Sequence, residues 1–238
     1  MILKNISKDF GGIKALDNCS LEIAQGITAI IGPNGSGKST LFHVISRLEQ
    51  EDKGTIIIDG VDVTKLSASV VAKKWISRTF QDVRLFKHLT IREHLSIAAA
   101  TEDEKLLKSF FGRVKEKNDY SVLELVHLIK SIDTTVTELS YGQRKLLDLA
   151  IAIVKPHSIL LLDEPVAGVN PKVRHQIKQV LKKLREQGQT IVIIEHDMNF
   201  VMDIADDVFV LDAGRVIAHD KPAQIRTNKK VLEAYLGT

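Results

Sequence analysis

The feature that most constrains the fold of this chain is a glycine-rich run at residues 32–40. It directly follows an apolar segment at residues 27–31 and leads into a helical pattern with four apolar side chains on one face. Those side chains belong to Leu41, Val44, Ile45 and Leu48. A strand, a glycine-rich turn and a helix in this order form the context of a phosphate-binding P-loop. The residues of the run are Gly32, Pro33, Asn34, Gly35, Ser36, Gly37, Lys38, Ser39 and Thr40.

The residue types in the run indicate how it would hold phosphate. Its glycines allow successive backbone N–H groups to converge on an anion, which side chains would obstruct. The helix that begins near Lys38 adds the positive end of its dipole, and the lysine supplies a mobile charge for the outer phosphates. Ser39 places a hydroxyl where Mg²⁺ would sit. The run therefore predicts a chain that binds a nucleoside triphosphate.

Composition and charge exclude several other classes of protein. The 238 residues suffice for one large α/β domain, or for a core that carries a sub-domain. The net charge of +3 is too small, and the basic residues too dispersed, to indicate a nucleic-acid partner. No apolar run approaches the roughly 20 residues that cross a bilayer, so another subunit must span the membrane if the protein acts there. The single cysteine, Cys19, excludes an internal disulfide framework.

Two kinds of apolar segment predict two kinds of sheet. Residues 2–6, 19–23 and 54–61 have the pattern of strands joined by turns, and we expect them to form an antiparallel patch beside the P-loop. The uninterrupted apolar runs at residues 159–162 and Thr190–Ile194 are typical of central strands of a parallel sheet that is buried on both faces. The chain is therefore predicted to be an α/β protein.

A helix is predicted between these two parallel strands. Asn170 can serve as its N-cap, Pro171 as its first residue and Gly188 as the residue after its C-cap. Five apolar side chains mark its buried stripe: Val173, Ile177, Val180, Leu181 and Leu184. Such a β-α-β unit implies a parallel sheet covered by helices.

The section from residue 90 to 154 has a different pattern and is predicted to be helical. We expect it to form a sub-domain at 90–154, inserted into a core made of residues 1–89 and 155–238. Residues 102–119 within it carry balanced acidic and basic side chains, which indicates a solvated helical surface with a loop. Phe110 and Phe111 are either a local packing anchor or an exposed contact, and the sequence leaves both open.

Carboxylates and a histidine follow the two predicted parallel strands. Asp163 and Glu164 come at the end of the first strand, the edge at which α/β sheets bind ligands. Asp163 is expected to hold Mg²⁺ through water, and Glu164 to polarise an attacking water. His196 follows the second strand and is expected to reach the γ-phosphate.

A further group, the sequence LSYGQ at residues 139–143, opens a strongly apolar helix. Ser140 and Gln143 have the spacing of a capping box. One interpretation is simply a well-capped helix, and the other is a second anion-binding helix terminus. The spacing alone leaves both interpretations open.

These residues together resemble the ATP-binding-cassette (ABC) ATPases, in which LSYGQ matches the signature motif. The P-loop, Gln81, the signature, the Asp163–Glu164 pair and His196 occur in that family's order over essentially the whole chain. The resemblance implies a RecA-like P-loop NTPase core with an antiparallel β patch and an inserted helical sub-domain. It also implies that ATP and Mg²⁺ are the ligands.

Particular roles follow from the same resemblance. Phe10 matches the aromatic residue that stacks on adenine, with Ala15 nearby. Gln81 matches the glutamine that contacts Mg²⁺ and water beside the membrane-subunit contact, and residues 167–170 match the loop that links two active sites. The residues implied in catalysis are Lys38, Gln81, Glu164 and His196, and those implied in holding Mg²⁺ are Ser39, Gln81 and Asp163.

The resemblance implies a dimer as well. In this family two ATPase subunits associate head to tail, and each ATP lies between one P-loop and the partner's signature. The signature residues Ser140, Tyr141, Gly142 and Gln143 would therefore act on ATP that is held by the other chain. That other chain is either a second copy or a related ATPase.

Longer runs resemble the ATPases of branched-chain amino acid importers, namely residues 78–86, 164–171, 195–198 and 233–237. This implies a peripheral subunit on the cytoplasmic side of the cell membrane, which works with separate permease subunits and indirectly with an external substrate-binding protein. Urea and short-amide importers share much of the pattern. A soluble ABC ATPase of iron–sulfur assembly is another alternative, whereas run 78–86 argues against export of a lipid-linked glycan.

Overall fold

The computed structural model describes residues 1–99 and 120–236. Its strands are β1 (Ile2–Phe10), β2 (Ile13–Glu22), β3 (Gly26–Ile31), β4 (Lys53–Ile58), β5 (Val61–Asp62), β6 (Ile76–Arg78), β7 (Ile159–Asp163), β8 (Thr190–Ile194), β9 (Asp207–Asp212) and β10 (Arg215–Asp220). Its helices are α1 (Lys38–Ile45), α2 (Ala68–Lys74), α3 (Ile91–Ala99), α4 (Ser121–Leu125), α5 (Tyr141–Val154), α6 (Pro171–Glu186), α7 (Met198–Ile204), α8 (Pro222–Ile225) and α9 (Lys229–Leu236), with a short 3-10 helix at Val136–Glu138.

An antiparallel sheet with the order β2-β1-β4-β5 covers the first part of the chain. Gly11 and Gly12 form the turn between β1 and β2 with φ angles of 60° and 98°, a region that side chains disfavour. The sheet buries Leu3, Ile6 and Ile56 in a hydrophobic cluster that it shares with α1. The predicted antiparallel patch is therefore confirmed, but β1 and β2 are longer than predicted, and the single strand predicted at 54–61 is divided into β4 and β5 by a turn.

A second sheet, with the order β10-β9-β3-β8-β7-β6, forms the centre of the molecule. All its neighbouring strands are parallel except β9 and β10. Every residue of β3 and β7 is buried, as uninterrupted apolar runs predict. Ile30 of β3 and Asp163 of β7 both lie opposite Ile194 of β8. The carboxyl ends of these three strands are thus level, and the segments that follow them meet at one edge.

The helix between the two predicted parallel strands is confirmed as α6. The Asn170 side chain caps it by accepting a hydrogen bond of 3.0 Å from the Val173 N–H. At the other end, Gly188 has a φ of 86° and its N–H donates to the Arg185 carbonyl. The predicted stripe of Val173, Ile177, Val180, Leu181 and Leu184 is buried throughout.

The helix after the P-loop is shorter than its apolar pattern suggested. Leu41, Val44 and Ile45 are buried, but α1 ends at Ile45. Arg47 then adopts a φ of 61°, which turns the chain out of the helix. Leu48 is consequently 51% exposed, and the prediction that it shares a helix face with Leu41, Val44 and Ile45 is wrong.

The described part of the section from residue 90 to 154 is helical. An isolated antiparallel bridge pairs Thr90, at the start of this section, with Thr135. Buried apolar side chains of α3, α4 and α5 join Leu160 and Leu162 of β7 and the buried stripe of α6 in one hydrophobic cluster. The charged stretch 102–119, with Phe110 and Phe111, lies outside the described residues. The division into a core and a sub-domain stays a prediction.

Within residues 1–99 and 120–236, no helix combines the length and the apolar character that crossing a membrane requires.

Candidate nucleotide-binding site

Glycines shape the loop between β3 and α1. Gly32, Gly35 and Gly37 have φ angles of 149°, 79° and 100°, a region that favours glycine. A Cβ atom at position 32 would overlap the Leu211 carbonyl oxygen, and one at position 37 would overlap the Ala15 carbonyl oxygen. The loop therefore packs directly against backbone of β2 and β9, which explains why its sequence requires glycine at these two positions.

Lys38 points its ammonium group back into this loop. Its Nζ donates hydrogen bonds of 2.9 Å to the Gly32 carbonyl, 2.8 Å to the Pro33 carbonyl and 3.3 Å to Ser36 Oγ. Burial lowers the pKa of Lys38, while the charges of Glu164 and Asp163 oppose that shift. A positive charge thus lies within the concavity of the P-loop, as phosphate binding requires.

Three of the four predicted catalytic side chains meet at Glu164, whereas Lys38 bonds within the P-loop. Gln81 Nε2 donates to Glu164 Oε2 at 3.1 Å, and His196 Nε2 lies 3.0 Å from Glu164 Oε1. These residues come from three segments, and Gln81 and Glu164 are 83 positions apart in the sequence. Glu164 has a φ of 47°, which is unfavourable for a residue other than glycine. Both carboxylate oxygens of Glu164 therefore have a side-chain partner, and the backbone of Glu164 itself is strained.

Asp163 has a partner that the sequence did not suggest. Its Oδ2 lies 3.1 Å from Arg78 Nη2, and both side chains are buried. The Arg78 guanidinium also donates to Ser46 Oγ at 2.9 Å and lies over the rings of Phe42 and Phe80. Burial lowers the pKa of Arg78, and the Asp163 charge opposes that shift. The available sequence signal was an arginine at the end of a buried strand, because such a charge requires a partner.

We expect the Arg78→Met substitution to lower the free energy of unfolding by about 3 kcal/mol, since it leaves a buried carboxylate unpaired. Adding Asp163→Asn to that variant should recover at least about 1 kcal/mol, because the uncompensated charge is then removed. Urea denaturation without nucleotide measures both values. Arg84→Met is the matched control, because Arg84 is exposed and stacks on the same Phe80 ring at 4.0 Å. Additive losses in the double variant would show that the pair does not contribute as a unit.

Two other buried charges support the catalytic segments, and sequence reasoning missed both. Lys145 of α5 donates its Nζ to the carbonyl of Gln81 at 2.8 Å and to that of Glu164 at 3.3 Å. Glu195, at the end of β8, accepts from the N–H groups of Val166 and His196 at 3.0 Å and 3.2 Å. Burial raises the pKa of Glu195, and these backbone donors oppose that shift. Glu195 therefore links the loop after Glu164 to the backbone of His196.

The predicted signature forms a complete capping box at the start of α5. Ser140 Oγ accepts from the Gln143 N–H at 3.3 Å, and Gln143 Oε1 accepts from the Ser140 N–H at 3.0 Å. Tyr141 is exposed, and its ring lies against Gly168 in the loop that follows β7. Among the residues that the structure describes, Ser140 and Gln143 make their side-chain hydrogen bonds to each other, and none with the P-loop. The predicted capping box is thus confirmed, and the anion-binding role of this helix terminus stays a prediction.

The remaining predicted ligands lie around the P-loop edge. Phe10 is 46% exposed, so its ring is accessible for stacking, and Lys8 Nζ lies over the ring at 5.1 Å from its centroid. Ala15 contacts the P-loop through its carbonyl at Gly37. In the described part of the chain, no three His, Cys, Asp or Glu side chains form a metal-binding cluster. The predicted magnesium donors are instead hydroxyl, amide and carboxylate oxygens, a set that fits Mg²⁺ bound largely through water and phosphate.

A P-loop and a carboxylate pair at the carboxyl edge of one largely parallel sheet, together with a capped signature helix, define an ATP-binding cassette. Comparison with known proteins agrees with this class. Residues 16–167 match the family described as ABC transporter, and residues 215–238 match the family described as branched-chain amino acid ATP-binding cassette transporter. The chain belongs to the ABC transporter family, which confirms the prediction from its motifs.

Individual relatives extend over nearly the full length. The chain is 36% identical over 241 residues to the probable branched-chain amino acid transport ATP-binding protein LivG of Archaeoglobus fulgidus, covering 98% of this chain and 94% of the relative. The crystal structure of the ADP conformation of MJ1267, an ATP-binding cassette of an ABC transporter, has a TM-score of 0.85 and 32% identity, covering 100% of this chain and 98% of that one. A dimeric, post-hydrolysis structure of the cassette MJ0796 bound to ADP and Pi has a TM-score of 0.78 and 28% identity. The match covers 93% of this chain and 98% of the MJ0796 chain. The predicted fold is therefore confirmed.

Proposed function

We propose that this chain is the ATP-hydrolysing subunit of an importer for branched-chain amino acids. The observation that carries the ATPase assignment is the position of Glu164, which lies between Gln81 and His196 at the edge of the sheet that also carries the P-loop. Relatives named as branched-chain amino acid transport proteins, and the match over residues 215–238, support the choice of cargo.

The P-loop and its lysine bind the triphosphate. Backbone N–H groups of the loop and the Lys38 ammonium surround the β- and γ-phosphates, so Lys38 exchanges carbonyl partners for phosphate oxygens. Ser39, Gln81 and Asp163 would hold Mg²⁺, which would supply positive charge that neutralises the phosphates. The Phe10 ring stacks on the adenine, with Ala15 beside it.

Glu164 then acts as the general base. It accepts a proton from the water that attacks the γ-phosphate, and such a base contributes typically 10² to 10⁴ in rate. His196 and Gln81 keep its two oxygens in place. Because His196 is exposed at this edge, it also contacts the γ-phosphate and responds to its loss.

The signature acts on the partner's nucleotide. Ser140 and Gly142, with Tyr141 and Gln143, lie at the start of α5 and contact ATP that is held by the P-loop of a second ATPase subunit. The dimeric form of a related cassette supports this arrangement. A helix terminus supplies at most about 2 kcal/mol, so its main effect is dimer closure, and charge stabilisation comes chiefly from Lys38 and the loop amides.

Permease subunits complete the transporter. Gln81 and the exposed Phe86 lie on the segment that faces them, and this segment transmits the closure of the dimer to the permease. The chain is thus peripheral on the cytoplasmic side of the membrane, and an external binding protein delivers the amino acid. The second ATPase subunit is another copy or a related chain.

Transport in proteoliposomes tests the proposed function. The chain is extracted in detergent with the membrane proteins that co-purify with it, and the complex is sealed into vesicles that contain ATP. Labelled leucine should accumulate with the external binding protein present, and should not accumulate when the chain carries Glu164→Gln. Accumulation of urea or acetamide instead of leucine would identify the related importers, and recovery without any membrane protein would favour the soluble assembly ATPase.

A further inference from the structure

We propose that Lys145 is a positioning residue, which fixes the backbone of Gln81 and Glu164 in the arrangement that hydrolysis requires. The inference rests on the proposed function, because it takes Glu164 as the general base. Lys145 is not one of the residues to which the motifs assigned a role in ATP chemistry, and it lies on the signature helix rather than beside the P-loop.

The contacts of Lys145 join three parts of the chain. Its side chain starts on α5 and its Nζ reaches the carbonyls of Gln81, at 2.8 Å, and Glu164, at 3.3 Å. Gln81 is 64 positions away in the sequence. The side chains of these same two residues are bonded to each other at 3.1 Å. One ammonium group therefore holds the backbone of both members of a side-chain pair at the proposed catalytic centre.

The environment of Lys145 is unusual for a lysine. It is only 4% exposed, on a helix whose other buried side chains are apolar. Burial lowers its pKa, while the carboxylates of Asp148 and Glu195 oppose the shift. Removing one charge from a buried group of opposite charges usually costs stability, so a role of Lys145 in hydrolysis has to be separated from its contribution to folding. The hydrogen bonds of Lys145 to the carbonyls of Gln81 and Glu164 indicate a role in positioning these two residues.

The backbone of Glu164 particularly needs such support. With a φ of 47° it lies in the left-handed region, which costs roughly 1–3 kcal/mol and persists only where the surroundings over-determine it. Its N–H donates to the Ile194 carbonyl, and its carbonyl accepts from the Ala167 N–H and from Lys145. Lys145 is the side-chain donor in this set, and it links the strained residue to α5.

Through Lys145, the start of α5 is connected to the backbone of Gln81 and Glu164. The helix that carries Lys145 begins within the signature, at Tyr141, about one turn earlier. A movement of α5 when the signature contacts the partner's ATP therefore shifts the group that holds Gln81 and Glu164 of the same chain. Lys145 thereby connects the nucleotide of one subunit to the general base of the other site.

Substitution of Lys145 tests the inference. For Lys145→Met we expect kcat for ATP hydrolysis to fall about 10- to 50-fold, because small misplacements of catalytic groups have effects of this size. The Kd for a fluorescent ATP analogue should change less than about threefold, since the P-loop is untouched. Lys145→Arg should restore kcat to within about fivefold, because guanidinium offers several donors to the two carbonyls.

Lys155→Met is the matched control. Lys155 caps the other end of the same helix, is half-buried, and donates its Nζ to the Ile76 carbonyl at 3.2 Å, away from Gln81 and Glu164. Its kcat should stay within about twofold of the unsubstituted chain. Equal losses of turnover in the Lys145→Met and Lys155→Met variants would indicate that both lysines act only through stability. The positioning role of Lys145 would then be wrong.

Other outcomes overturn the inference as clearly. A folded Lys145→Met variant with kcat within threefold of the unsubstituted value contradicts it, and so does a Lys145→Arg variant as slow as Lys145→Met. Should Lys145→Met fail to fold, Lys145→Gln replaces it, because its amide can still donate to one carbonyl. Loss of turnover in Glu164→Gln with full turnover in Lys145→Met refutes only the positioning role. Full turnover in both refutes the proposed function too.

Discussion

Replacing Glu164 with glutamine is expected to lower steady-state turnover by about 1,000-fold, in the middle of the range for removal of a general base. The amide has the length of the carboxylate and can remain between Gln81 and His196, but it cannot take the proton of the attacking water. ATP binding should persist, since the substitution leaves Lys38 and the P-loop amides unchanged. The variant should therefore accumulate as an ATP-bound dimer.

Phosphate release and size-exclusion chromatography with ATP and Mg²⁺ measure the two consequences of Glu164→Gln. Glu186→Gln is a suitable control, because Glu186 is an exposed carboxylate at the end of α6. It should hydrolyse ATP normally and show no added dimer. Phosphate release by Glu164→Gln near the unsubstituted rate would show that another group takes the proton.

Lys38→Ala should weaken the binding of ATP itself, in contrast to Glu164→Gln. Charge-assisted hydrogen bonds contribute about 1.5–3 kcal/mol each, so the loss of contacts to two phosphates corresponds to at least roughly a 100-fold rise in Kd. Titration with a fluorescent nucleotide gives the value directly. Turnover falls as a result of this loss, and saturating nucleotide should not restore it fully.

A second variant separates charge from loop structure at position 38. The ammonium also holds the carbonyls of Gly32 and Pro33, so alanine removes internal bonds as well as charge. Lys38→Met retains the length of the side chain without the charge, and we expect it to lose nearly as much affinity as Lys38→Ala. Unchanged affinity in both variants would contradict the role of Lys38 in phosphate binding.

Features that depend on neighbouring residues could be predicted from the sequence. The P-loop, the Asn170 cap and the Gly188 terminus of α6 each arise from a few adjacent residue types with strong backbone preferences. The buried parallel strands were also predictable, because both faces of β7 and β8 are apolar. The strand order then brings Glu164 and His196 to the same edge, so their proximity follows from the fold class.

Contacts that depend on exact register could not be predicted. Arg78 lies on a strand of three residues and meets Asp163 across 85 positions, which no local pattern indicates. Lys145 lies on an apolar helix, and the pattern of that helix predicted neither its burial nor its contacts with Gln81 and Glu164. Leu48 shows the opposite error, since an apolar periodicity continued beyond the residue at which the helix ends.

The packing of the P-loop against the backbone of distant strands has a thermodynamic consequence for ligand binding. Leu211 and Ala15 present their carbonyls to Gly32 and Gly37, and the Gly214 N–H donates to the Ser36 carbonyl at 3.0 Å. A loop confined from several sides has few alternative conformations, so a nucleotide does not have to restrict it further. The entropy lost on association is correspondingly small, and a larger share of the contact free energy appears as affinity.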